Sequence, residues 1–235
     1  MQSKTWVGDC QSCSARESGV FCQLEALAIK KLSHEKVSNS YKRGQALFFQ
    51  GNPPFGLYCV HSGKIKITKG AAVGKETIVR IAAKGDILGH RSLFSDSPYT
   101  ASAVALEDAE VCFISKKTIY DLLEQEPKLS LQILYSVSRD MGNAEDKVAS
   151  IAQRNIRERF AELLLILKKA YGEPSSNGTR LNIRLTREEM ASMIGTASES
   201  LIRLVSEFRE DGIIEQKGKT IFLINDGKLK EYANL

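Results

Sequence analysis

The stretch CQSCSARESGVFC gathers Cys10, Cys13 and Cys22 into a segment with little apolar material to bury. Thiols grouped this closely can hold a metal, sense redox state, or remain simple thiols. The chain has five cysteines, so one is left over from any full pairing. Its first residues, MQSKTWVGDC, lack a basic stretch followed by an apolar run, and nowhere do about eighteen apolar residues follow one another. The expectation is a cytoplasmic protein whose cysteines are not structural disulfides.

A second set of reactive side chains lies near the other end, in LTREEMASMIGTASESLIRLVSEF. Thr186-x-x-Glu189 is a capping box that can start one helix, and Gly195 breaks it after Ile194. A second helix beginning near Thr196 buries Leu201, Leu204, Val205 and Phe208, leaving Ser198, Glu199, Ile202 and Arg203 outward, with Thr196 and Ser200 beside them. Arginine can bond two acceptors of one guanine, a carboxylate can accept from cytosine, and an isoleucine can touch a thymine methyl. Glu199 could instead close a second capping box on Thr196, or pair with Arg203 one turn on. The following IIEQKGKTIFLI reads as two strands around Lys217-Gly218-Lys219, a basic hairpin able to lie along phosphates. From Arg154 onward 14 Lys/Arg face 12 Asp/Glu, so placement of the charges, not their sum, carries the expectation of a double-stranded DNA partner.

Two kinds of element must position these groups. From Tyr41 to Ser115 short apolar runs alternate with turns at Gly44, Gly51, Gly63, Gly85 and Gly89, the spacing of a compact antiparallel β domain entered through a helix around Leu24 to Leu32. KTIYDLLEQEP then reads as a short helix stopped by Pro127. The run from Lys128 to about Gln153 carries Leu134, Val137, Met141, Ala144, Val148 and Ile151 at steps of three and four. Such a narrow apolar stripe on a polar helix predicts pairing with a second copy; the alternative is packing on the β domain. ERFAELLLILKKAY makes a further helix, and GEPSSNG reads as a turn. No nucleophile, base and orienting third group come together, so no enzyme is expected. Cys59 reads as a small buried strand residue, and neither His34 nor His61 shows ligand spacing.

From KRGQALFFQGNPPFGLYCVHSGKIKI through GDILG and the long helix to TREEMASMIGTASESLIRLVSEF, nearly the whole chain resembles the CRP/FNR superfamily of bacterial transcription regulators. The resemblance implies an α+β fold. A cysteine-bearing segment (1–26) would precede a cyclic-nucleotide-binding-type β-roll sensor domain (27–126), a dimerisation helix (127–153) and a winged helix-turn-helix (154–235). It implies that Glu199 and Arg203 read the core of a palindromic half-site in a homodimer, with RNA polymerase as a further partner. His90 stands where cyclic-AMP-binding members carry the ribose glutamate, and Tyr99 where they carry the phosphate arginine. Cyclic AMP is therefore not the expected ligand, and His90, Arg91, Tyr99 and Thr100 would line any other effector pocket. The FNR-like branch carries an N-terminal cysteine cluster plus one cysteine in the roll, matched by Cys10, Cys13, Cys22 and Cys112. The implied cofactor is a 4Fe-4S iron–sulfur cluster responsive to oxygen or nitric oxide. The gap between Cys13 and Cys22 is longer than that branch usually has. A Cys₄ zinc site and a metal-free redox thiol pair stay open, as does a regulator without a cluster, governed by its abundance or a small ligand in the roll.

Overall fold

The computed structural model describes residues 8–70 and 76–234. The chain divides into two compact units, Met1–Gly142 and Asn143–Leu235. Residues 1–7 of the expected cysteine-bearing segment and residue 235 of the expected DNA-binding domain lie outside the described residues.

Among the described residues the first unit has a turn-rich segment before helix α1 (Ala26–Glu35), then eight strands: β1 (Val37–Tyr41), β2 (Ala46–Phe48), β3 (Gly56–Ser62), β4 (Ile65–Gly70), β5 (Glu76–Ala82), β6 (Ile87–Leu88), β7 (Ser102–Ala105) and β8 (Ala109–Ser115). A short helix α2 (His90–Phe94) follows β6, and α3 (Lys116–Gln125) follows β8. The strands form two antiparallel four-stranded sheets, ordered β1-β8-β3-β6 and β2-β7-β4-β5. All five turn glycines named above have φ between +82° and +90°, a region closed to most side chains.

Strand alternation sorts the first sheet into two faces. Val60 and Val111 point into the roll, with Leu47, Ile65, Ala103 and Tyr99. Leu57, Cys59 and Ile114 point the other way, under a second apolar core built by Phe21 and Leu24 of the N-terminal segment, Ile29 and Leu32 of α1, and Ile119 and Leu122 of α3. That core also takes Leu129, Ile133 and Val137 of the long helix α4 (Pro127–Gln153). Pro127 can open α4 because the first turn of a helix leaves its N–H groups unpaired anyway. The division between units falls within α4, at Gly142 and Asn143.

The second unit holds α5 (Ile156–Tyr171), the hairpin β9 (Gly172–Ser175) and β10 (Gly178–Leu181), α6 (Arg187–Ile194), α7 (Ser198–Glu210), β11 (Ile214–Lys217), β12 (Thr220–Leu223) and α8 (Asp226–Tyr232). Its sheet runs β11-β12-β10-β9. GEPSSNG, expected as a turn, is thus mostly strand: Gly172 to Ser175 pair with Leu181 to Gly178. The pairing rescues a stretch of low strand propensity by giving its backbone a ladder. Among the described residues no helix is long and apolar enough to cross a membrane.

Candidate functional sites

The helix pair of the second unit forms as its end signals dictate. Thr186 and Glu189 cap α6 reciprocally, and Gly195 closes it at φ +67°. Helix α7 starts later than expected, at Ser198, after Ala197, which makes no side-chain cap. Thr196 therefore does not box with Glu199. Nor do Glu199 and Arg203 join in an ion pair among the described residues; both are exposed, with Ile202 beside them, while Leu201, Leu204, Val205 and Phe208 are buried. The two side chains are thus left pointing outward. Phe208 packs edge-on against Phe160 of α5 at 4.9 Å and Tyr232 of α8 at 5.3 Å. Arg157 lies 3.9 Å over the Tyr232 ring and pairs with Glu207 at 2.7 Å, while the Tyr232 hydroxyl donates to Asp211 at 2.7 Å. Helix α8, which periodicity over so few residues does not reveal, is what braces the C-terminal end of α7.

The wing is a two-residue hairpin: Lys217 pairs with Thr220, and Gly218 takes φ +61° at the first turn position, where a side chain would be strained. Lys217 and Lys219 both stand exposed there. A helix presenting a carboxylate and a guanidinium at its N-terminal end, beside a basic hairpin, suits a major groove flanked by phosphates.

In the first unit, β3 and β8 pair so that Cys59 faces Cys112, and β1 sets Ser38 on the other side of Cys112. Cys112 thus points out of the roll, toward the N-terminal segment. A cavity of about 30 Å³ there is lined by Cys10, Cys13, Cys59, Cys112, His61, Arg16 and Lys36, among apolar neighbours. The volume suits one or two water-sized groups. Cys13 Sγ lies 3.3 Å from His61 Nδ1. Cys22, expected with the others, does not line this cavity. Its N–H donates to the Gly19 carbonyl at 3.2 Å and its own carbonyl accepts from Arg16 Nη1 at 3.4 Å. Arg16 Nε also donates to the Cys10 carbonyl at 3.1 Å, tying the two ends of the loop together.

Burial pushes the Cys10 thiol up to about 11 and raises Cys59 and Cys112 as well, with Lys36 opposing at Cys10 and Cys112. Buried thiols of this kind are poor nucleophiles at neutral pH, whereas a bound metal deprotonates them outright. Soft thiolates with one imidazole suit zinc or iron–sulfur chemistry, and Lys36 and Arg16 supply charge of the sign a thiolate-ligated centre needs. Among the described residues no three such donors already converge at ligand distance. The donor types, thiols with one imidazole, fit a metal centre. Cys59 and His61, to which local spacing assigns no role, join the site only through strand register. No spacing rule signals that.

Of the four residues expected around an effector, His90, Arg91 and Thr100 line a separate cavity of about 350 Å³ with Ser92, Phe94, Ser95 and Val137. Tyr99 does not. Its ring stacks on Phe48 at 4.0 Å inside the roll, and burial pushes its hydroxyl up to about 12. A buried aromatic ring therefore fills the position matched to the phosphate arginine. His90 is buried, with Nε2 3.5 Å from Asp140 Oδ2 on α4, and neither ring nitrogen has a hydrogen-bond partner among the described residues. Arg80 also pairs with Asp140 and donates to the Ile87 carbonyl at 3.2 Å. Burial alone would raise the Asp140 carboxyl, but the His90 imidazole and the Arg80 guanidinium outweigh it and hold it low.

Because that carboxyl titrates lower folded than unfolded, its contribution is present above the ordinary carboxylate range and lost as pH falls through the folded value. Asp140→Asn is expected to cost on the order of 2 kcal/mol at pH 7, the scale of a charge-assisted bond broken at a part-buried site. Urea melts at pH 7 and at about pH 3, below the ordinary Asp value, check this: the gap between variant and parent should shrink in acid.

The two units are an antiparallel β-roll and a winged helix-turn-helix. The cyclic nucleotide-binding domain family matches residues 38–126, and the Crp-like helix-turn-helix domain family matches residues 158–232. The anaerobic regulatory protein of Bacillus subtilis is 32% identical over 74% of this chain and 75% of its own. A CRP-like cAMP-activated global transcriptional regulator of Mycobacterium tuberculosis is 26% identical over 92% of this chain and 96% of its own. Among solved structures, the c-di-GMP responsive global regulator CLP of Xanthomonas campestris superposes with a TM-score of 0.75, at 23% identity, over 86% of this chain and all of that one. The chain belongs to the CRP/FNR family of DNA-binding transcription regulators.

Proposed function

We propose that this regulator works as a homodimer and that a thiolate-bound metal centre beneath its N-terminal loop, an iron–sulfur cluster as the FNR-like pattern implies, sets its affinity for a palindromic operator. The observation that supports this reading is the meeting of loop cysteines Cys10 and Cys13 with Cys112 of β8 around one cavity. Cys10, Cys13 and Cys112 would hold the centre, with a fourth thiolate from this chain. A cluster bound there supplies reactivity toward oxygen and nitric oxide.

The chain's own residues carry the consequence outward. Phe21 and Leu24, next to the cysteine loop, share one apolar core with Leu129, Ile133 and Val137 of α4. Loosening the loop removes packing from the helix that bears the dimer stripe, and Arg80 with Asp140 adds a polar tie between roll and helix. The signal acts by stabilising one arrangement of α4 over another, and only by the difference in binding between them. Bound to DNA upstream of a promoter, the dimer meets RNA polymerase as its further partner.

Protein purified without oxygen should contain iron and sulfide, show broad visible absorbance, bleach in air, and change operator affinity as it bleaches. Equal operator binding before and after bleaching would falsify the sensing mechanism. One observation favours a second reading: the buried His90, whose Nδ1 has no hydrogen-bond partner among the described residues, stands beside the 350 Å³ cavity and suits a small polar ligand. In that case colourless protein would shift its melting temperature with such a ligand and not with metal.

A further inference from the structure

We infer that Cys59, rather than Cys22, is the fourth thiolate of the N-terminal metal site. The inference rests on the metal-centre reading above and narrows its ligand set.

Four thiols line the cavity, and the chain delivers them in two pairs. Cys10 and Cys13 come from the loop as Cys-x-x-Cys, the spacing that lets two thiolates share one metal centre. Cys59 and Cys112 come from the sheet, directly opposite each other on antiparallel strands and on one face. Cross-strand partners have Cβ atoms about 4.5–5.5 Å apart, so two thiols at such a position can serve one centre without backbone movement. Strands hold ligands more firmly than loops do. The loop pair would close onto this fixed pair.

His61, two residues beyond Cys59 on β3, lies on the same edge of the cavity and already meets Cys13 Sγ. Its side chain can donate to a thiolate and orient it, the role that outer-shell partners play around metal ligands. Lys36 and Arg16 add positive charge along the same lining. Cys22 has no cross-strand thiol opposite it and no place in the cavity lining. Its backbone is bonded to Gly19 and Arg16, and its side chain is not among those lining the cavity that holds the other four thiols.

Iron, sulfide and zinc per chain, measured on anaerobically purified full-length protein, test this in wild type, Cys59→Ser and Cys22→Ser. Cys22→Ser is expected to keep the wild-type metal content. Cys59→Ser should release metal to a chelator at more than about 100-fold lower concentration, above the cost of losing a mere supporting residue. A metal-free wild type would sink the metal-centre reading and this inference together. A loaded wild type with Cys59→Ser equally loaded and Cys22→Ser empty would sink the inference alone. Should Cys59→Ser not fold, alkylation of loaded wild type decides: Cys22 is expected to react with iodoacetamide without loss of metal, and its protection until chelation would overturn the assignment.

Discussion

Arg203→Ala is expected to weaken binding to the cognate operator by roughly ten- to a hundredfold, the equivalent of about 1–3 kcal/mol for a bidentate pair of bonds to one base. The fold should be unaffected, because the side chain is exposed and makes no ion pair among the described residues. Binding to unrelated DNA should change far less, so the ratio of specific to non-specific affinity falls. Replacing Lys217 and Lys219 by alanine makes the contrast. Lysine–phosphate bonds carry no sequence information, so both kinds of binding should weaken together, and the salt dependence should flatten by about one unit of slope for each phosphate no longer neutralised. Fluorescence anisotropy with an operator selected from a random pool, at several salt concentrations, separates the two behaviours. An unchanged specificity ratio in Arg203→Ala would remove Arg203 from base reading.

Why the exposed face of α7 is legible in the sequence and the thiol site only partly so follows from the range over which each is specified. Helix α6 is set by the capping box Thr186 to Glu189 and a glycine, and α7 by apolar residues three and four apart, so local spacing names their outward side chains. Even there the start of α7 differs from the expected one: Ala197, not Thr196, precedes it, and this removes the capping explanation for Glu199. The cysteine site depends on pairing between strands fifty residues apart. Cys59 and Cys112 meet because β3 lies beside β8 in one particular register, and a slip by one residue would send Cys112 into the roll. Arg80 and Asp140 escape a reading of the sequence for the same reason, being an ordinary strand arginine and helix aspartate until the fold places α4 beside the roll. Tyr99 holds the family position expected of it but lines a different wall, since its ring completes the roll core instead of the cavity.

Val148→Glu is expected to convert the protein from a species of twice the 26.0 kDa chain mass into a monomer, read by light scattering after size exclusion. Along α4, Leu134, Met141, Ala144, Val148 and Ile151 are exposed in the single chain, whereas Val137 is partly spent on the core beneath α1 and α3. A stripe of that length, apolar and uncovered, matches the seam by which two helices pair, and Val148 is 68% exposed on it. Because it faces solvent in one chain, a charge there costs the monomer little. In a paired seam, two glutamates would meet at one level, where neither has a cation. Losing the partner also removes the tether that makes binding of the second half-site intramolecular, so operator affinity should fall by about 10²- to 10⁴-fold while a single half-site binds as before. Val148→Leu, which keeps the apolar seam, should remain dimeric and bind normally. A Val148→Glu protein that stays at twice the chain mass would show that the copies join through some other face, and the apolar residues of α4 would then need a different partner.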